Sequence, residues 1–93
     1  MAGPEQKIQK KIVEYLESVG CKVIKLVAAN KKGNADLIVC YRGLYIEIEV
    51  KQPGKKPTKL QLLKGQETVE AGGFWMWADN LEDVKTTIDS LSI

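Results

Sequence analysis

The chain contains no histidine. That excludes Ser-His and Cys-His nucleophile pairs, imidazole acid–base schemes and histidine metal ligands. Any catalysis must run on carboxylates, lysine, amides and a hard metal. Cysteine is scarce, with only Cys21 and Cys40. Two are too few for a disulfide scaffold, and their spacing is not that of a zinc site. Both sit in apolar, strand-like stretches and read as buried, reduced thiols, which suits a cytosolic location. No apolar run is long enough for a membrane span, and the N-terminus lacks the apolar stretch of a secretion signal. There is no internal repeat and no low-complexity segment.

What is present is an ordinary globular composition, 44% hydrophobic and 28% charged. Ninety-three residues at that composition are expected to make one small domain over 1–93, with a single core. The net charge of +2 hides an asymmetry. Between positions 51 and 64 stand Lys51, Lys55, Lys56, Lys59 and Lys64 with no acid among them. From Asp79 onward the acids Asp79, Glu82, Asp83 and Asp89 face only Lys85. Lys7, Lys10 and Lys11 form a second basic cluster, and Lys31 and Lys32 a third. One such cluster alone is usually a solvated face. Three around one spot suggest a phosphate-backbone footprint.

Periodicity divides the chain. Residues 4–19 read as an amphipathic helix, with Pro4 in the first turn, Ile8, Ile12, Tyr15, Leu16 and Val19 as its stripe, and Gly20 as its stop. Glu5 falls on that stripe, at the helix start, where the dipole alone would favour a carboxylate. Residues 21–27 and 35–41 read as strands around a polar loop at 28–34. The second is apolar on both faces, which predicts a central strand. Arg42-Gly43 makes a tight turn into a third strand at 44–51. A helix follows from Thr58 to Ala71, with Thr58 as N-cap and Gln61 at the capping-box position. Residues 74–78 form a short strand with large side chains on both faces. A last helix starts near Asn80, with Leu81, Val84, Ile88 and Leu91 as its stripe. This order predicts an α/β sandwich: an antiparallel three-stranded meander, then a helical crossover that brings the fourth strand parallel to the third.

The third strand alternates strictly. Leu44, Ile46, Ile48 and Val50 point one way; Tyr45, Glu47, Glu49 and Lys51 point the other. Asp36, on the preceding strand, lies within hairpin reach of Glu49. An Asp, a Glu and a Lys at one spot are the minimum for holding a divalent metal against a phosphodiester. Asp36 and Glu49 would be two ligands and the Val50 carbonyl a third, with waters completing the shell of Mg²⁺. Lys51 would orient or deprotonate the attacking water, or hold the scissile phosphate. A Glu-x-Lys alone is weak, because short motifs recur by chance. An Asp at a strand start, a Glu-x-Lys at the end of the next strand, a lysine-rich loop and then a helix are more specific together.

At this point the chain resembles the virus-type replication-repair nuclease family (VRR-Nuc), within the PD-(D/E)xK nuclease superfamily, over nearly its whole length. The family's Gly-x-Pro-Asp corresponds to Gly33-Asn34-Ala35-Asp36, and its Glu-x-Lys to Glu49-Val50-Lys51. The family's early helical glutamate matches Glu5. Its glutamine after the lysine-rich loop matches Gln61, and Gly73 fits the glycine before the last strand. Ala35 stands where the family usually has proline. The resemblance implies an αβββαβ restriction-endonuclease-like core, here with an extra C-terminal helix. It implies Asp36 and Glu49 as metal ligands, Lys51 as catalytic lysine, and Glu5 and Gln61 completing the site. Small stand-alone members resemble phage enzymes that cut branched DNA, including Holliday junctions, as homodimers using Mg²⁺ or Mn²⁺ in the bacterial host cytoplasm. Two symmetric nicks need two sites, which suits a dimer. The apolar side chains of residues 74–77 and of the last helix would form the dimer interface, or else fill the chain's own core. The DNA-binding surface would comprise Lys7, Lys10, Lys11, Lys31, Lys32, Lys55, Lys56, Lys59 and Lys64. Glu47 is an extra acid on the site face; it reads as a half-exposed strand residue, with an auxiliary role in the site as the alternative. The rival reading is a non-catalytic nucleic-acid-binding module, which the basic clusters fit equally well; a third is a small structural partner in a larger repair assembly. A pure binder, however, has no use for edge carboxylates that repel phosphate.

Overall fold

A computed structural model describes residues 3–27 and 32–92. Helix α1 (Pro4–Ser18) begins at Pro4, whose missing N–H costs nothing in a first turn. Its Ile12 and Leu16 are fully buried. Strands β1 (Lys22–Lys25), β2 (Leu37–Tyr41) and β3 (Leu44–Val50) follow. Both central residues of the β2–β3 turn, Arg42 at φ 50° and Gly43 at φ 83°, have positive φ. That is the mirror-image turn whose twist matches the strands it joins. Helix α2 (Lys59–Glu70) starts on Thr58, whose hydroxyl accepts from the Gln61 N–H at 3.2 Å. Strand β4 (Phe74–Ala78) and helix α3 (Leu81–Leu91) complete the chain, and Asn80 caps α3 by accepting from the Asp83 N–H at 2.8 Å.

The four strands lie in sequence order, β1-β2-β3-β4. The first three pair antiparallel and β4 pairs parallel to β3, with α2 as the crossover. The register sorts the side chains by face. Ile46, Ile48 and Val50 share one face with Leu37, Val39, Tyr41 and Ala78, and this face packs on Ile12, Leu16, Val84 and Ile88. Helices α1 and α3 therefore cover the core side. The opposite face carries Tyr45, Glu47 and Glu49 with Trp75 and Trp77, and α2 lies over part of it.

Several expectations change in detail. β1 and β2 are shorter than their apolar runs, and Asp36 falls one residue before β2 rather than within it. Cys40 is exposed, because the register turns it onto the sheet face that α2 leaves bare, whereas Cys21 is buried. The stripe of α3 is not spare surface. Val84 and Ile88 are buried and Leu81 and Leu91 pack against them, so the α3 stripe fills this chain's own core, whereas Phe74 stays exposed and Trp75 and Trp77 half-buried. Four further exposed apolar side chains, Leu60, Leu62, Leu63 and Val69, gather on α2, and others stand at Val19, Ile24, Val27 and Leu44.

Candidate functional site

Leu37 pairs with Ile48, so one further step in the same register sets Asp36 across from Glu49. Both carboxylates are 2% exposed. Asp36 is aimed by the backbone: the Val50 N–H donates to its Oδ2 at 2.8 Å. Its own carbonyl accepts from the Leu26 N–H at 2.9 Å, which ties the turn to β1. Ala35, in the family's proline position, is buried. The stiffness that a proline would lend is replaced here by hydrogen bonds on both sides of the Asp36 backbone and side chain. Gly33 has a spatial role in the same turn. A Cβ there would stand 2.5 Å from Leu60 Cγ, so the turn lies directly against the first turn of α2.

Two donors converge on one oxygen of Glu49. Gln61 Nε2 reaches Oε2 at 3.1 Å, and Lys51 Nζ lies 3.6 Å from the same atom. The Lys51 side chain is 14% exposed, so the ion pair is largely withdrawn from water. Lys51 also extends the ladder past β3, its N–H donating to the Ala78 carbonyl at 2.9 Å. Gln61 serves the helix and the site together. Its Oε1 accepts from the Thr58 N–H at 2.9 Å while its Nε2 holds Glu49.

The remaining sequence candidates are distributed less tightly. Glu5 is half-buried in the first turn of α1, and its side chain makes no hydrogen bond or ion pair among the described residues. Among the described residues no three acidic or cysteine side chains form a metal-sized group, so Glu5 does not join Asp36 and Glu49 in one. Val50 meets the site through its N–H, which donates to Asp36 Oδ2. Lys7, Lys10 and Lys11 are exposed on α1, on the core side of the sheet. Lys32, Lys55, Lys56 and Lys59 are exposed nearer Asp36 and the start of α2. Lys64 is half-buried and lies 3.8 Å from Glu67. Lys31 lies outside the described residues.

A second polar group on the same face was not legible as such in the sequence. Glu47 accepts from the Tyr45 hydroxyl at 2.5 Å and from Thr68 Oγ1, on α2, at 2.6 Å. Its bond to Glu47, with a smaller contribution from burial, pushes the Tyr45 phenol up to about 12. A cavity of about 500 Å³ opens beside it, with Asn34, Glu47, Lys64 and Thr68 on its walls. The alternation of β3 placed Glu47 on this face, but its partner is 21 residues away on another element.

The donor set fits a hard dication. Two buried carboxylates side by side are costly without positive charge close at hand. Lys51 brings one unit. Asp36 and Glu49 would hold Mg²⁺ or Mn²⁺, an ion that takes few carboxylates and keeps water in the rest of its shell. This arrangement, a mixed sheet with an Asp facing a Glu-x-Lys under a crossover helix, defines a nuclease-like α/β domain.

Comparison with solved structures agrees. One, described as "VRR_NUC domain", superposes with a TM-score of 0.82 at 29% identity, covering 95% of this chain and 97% of that one. Another, described as "VRR_NUC domain protein", superposes with a TM-score of 0.68 over 97% of this chain and 88% of the other, and at 20% identity it shows the shared fold. No family model and no curated protein matches the sequence. This structural likeness, over nearly the whole chain, supports the resemblance to the VRR-Nuc family that the motifs carry.

Proposed function

We propose that the chain is a divalent-metal-dependent endodeoxyribonuclease that cuts branched DNA, Holliday junctions included. The observation that carries this reading is the pair of buried carboxylates, Asp36 and Glu49, with Lys51 and Gln61 both drawn onto Glu49 Oε2. Mg²⁺ or Mn²⁺ bound there would offset the charge on the phosphate as the phosphodiester is attacked. Lys51 is held by Glu49 with little freedom, and its ammonium meets the scissile phosphate or the attacking water. Gln61 fixes the oxygen of Glu49 that Lys51 pairs with. The exposed lysines that stand close in the chain to Asp36 and to the start of α2 would supply backbone contacts to the nucleic acid. A homodimer acting in the host cell cytoplasm would present two such sites to a four-way junction. The exposed leucines of α2, not the buried stripe of α3, are the apolar surface such a dimer has to hand.

Purified protein should cut four-way, flap or splayed DNA with Mg²⁺ or Mn²⁺ and stop with EDTA. Lys51→Ala should lower cleavage by at least about 10²- to 10³-fold, the usual cost of removing a group that stabilises transition-state charge. DNA binding should survive. Cleavage by Lys51→Ala at the wild-type rate would refute the site. DNA binding without cleavage, together with calorimetry showing no Mn²⁺ site that depends on Asp36, would favour the non-catalytic binding module.

A further inference from the structure

Helix α2 is seated in an unusual way. The residues it turns towards the sheet are Gln61, Gly65 and Thr68, at i, i+4 and i+7 of one stripe. None is a large apolar side chain. The leucines of the helix, Leu60, Leu62 and Leu63, are about half exposed, at 48%, 49% and 53%. Gly65 alone is buried, pressed on the Trp75 ring so closely that a Cβ would fall 2.5 Å from Trp75 Cδ2. The helix therefore meets the sheet itself through one flat contact, beside the Gly33 turn packed on Leu60, and is pinned by a polar bond on either side: Gln61 to Glu49 at 3.1 Å, and Thr68 to Glu47 at 2.6 Å.

We propose that Glu47 is a positioning residue, which by holding Thr68 sets the tilt of α2 on Trp75 and so keeps Gln61 on Glu49. This rests on the reading of Glu49 as a site residue. The geometry is that of a lever. Thr68 lies three residues beyond Gly65 and Gln61 four before it, about 4.5 Å and 6 Å along the axis. Release of one end lets the helix rock on the Trp75 ring and carries the other end off its partner. Glu47 is itself fixed, because its other oxygen takes the Tyr45 hydroxyl at 2.5 Å. Thr68 has a fallback that makes the test clean. Its hydroxyl also lies 3.2 Å from the Lys64 carbonyl within α2. The shorter, charge-assisted bond to Glu47 is the stronger of the two. Loss of Glu47 thus releases the Thr68 end of the helix without leaving a stranded hydroxyl.

Thr68→Val removes the donor at nearly constant volume. It should lower kcat for junction cleavage by about 10- to 100-fold, the scale of a misplacement near 1 Å, with KM within about twofold. Thr68→Ser, which restores the hydroxyl, should recover the rate. In a Gln61→Ala background the Thr68→Val change should cost nothing further, because the lever then has nothing to move. A readout independent of cleavage is the Gln61 side-chain amide in ¹H–¹⁵N spectra. In the wild type its two protons should be distinct and slow to exchange; in Thr68→Val they should move to solvent-like positions. Additive losses with Gln61→Ala, or an unmoved Gln61 amide in Thr68→Val, would overturn the proposal. Should the wild-type chain cut no DNA at all, the nuclease reading fails, and the amide signal still decides this one.

Discussion

The two faces of β3 are built to opposite rules. On one, Ile46, Ile48 and Val50 are fully buried against α1 and α3. On the other, Tyr45, Glu47 and Glu49 meet a helix that offers a glycine, a glutamine and a threonine. The apolar face gains from area removed from water, roughly 25 cal/mol per Å², and is insensitive to direction. The polar face gains little net stability per bond, about 1 kcal/mol each, and depends steeply on geometry. One strand can thus hold the fold with one set of side chains and set a site with the set between them.

The largest test of that contrast is on the core side. Ile48→Ala should cost about 3 to 4 kcal/mol in urea unfolding, since a fully buried branched chain leaves a cavity that β2, β4 and the helices cannot close. A cost below about 1 kcal/mol would mean that this face is not where stability resides. A smaller effect is expected at Gly65→Ala. Helix propensity favours alanine by about 1 kcal/mol, while overpacking on Trp75 costs about 1 to 3 kcal/mol. The clash should win by about 1 kcal/mol, and cleavage should fall by more than that loss of stability explains. A variant both more stable and fully active would show that the Trp75 seat yields easily.

The smallest effect is expected at Tyr45. Its folded pKa is raised from 10.0 to about 12, with the bond to Glu47 as the first cause. The native state therefore holds that proton more tightly than the unfolded chain does. The associated stability is complete below pH 10 and is lost as pH rises from about 10 towards 12. An ultraviolet titration of the phenolates should show a late phase from Tyr45 that Glu47→Gln brings back towards the ordinary range, while Tyr15, raised chiefly by burial, is unaffected. Tyr45→Phe should remove the extra alkaline slope in stability. A Tyr45 that titrates normally in the wild type would break the hydrogen-bonded reading of this face.

Much of the fold was legible in the sequence, because it is written in local periods. The alternation over β3, the Thr58 cap, the Arg42-Gly43 turn and the order of elements each depend on residues close in sequence, and the structure has them. The strand ends were less legible, since apolar runs continue past the last ladder bond. The fate of the α3 stripe depends on what lies opposite it, and helical spacing alone left core and interface open. Within the site, the placement of Asp36 near Glu49 followed from hairpin reach. The bond between Gln61 and Glu49, the Glu47–Thr68 pin and the fit of Gly33 against Leu60 did not. Each joins elements across the crossover, and no pattern along the chain encodes such a distance. Resemblance supplied Gln61 as a site residue; it had no way to supply Glu47.

Gln61 also gives the site a fixed polarity. A side-chain amide has two faces of similar shape, and a half-turn exchanges its acceptor for its donor. Here the half-turn is forbidden at both ends, by the helix start and by the Glu49 carboxylate. The Thr58 N–H can only donate, so the amide oxygen must face it and the NH₂ must face the carboxylate. The first turn of α2 thereby acts as a key that fits one way round. A glutamate at 61 would keep the capping box and turn a second negative charge on Glu49; an alanine would lose the side-chain half of the capping box and the contact together. Selection on this one side chain is in effect selection on two unrelated tasks, and few substitutions can satisfy both.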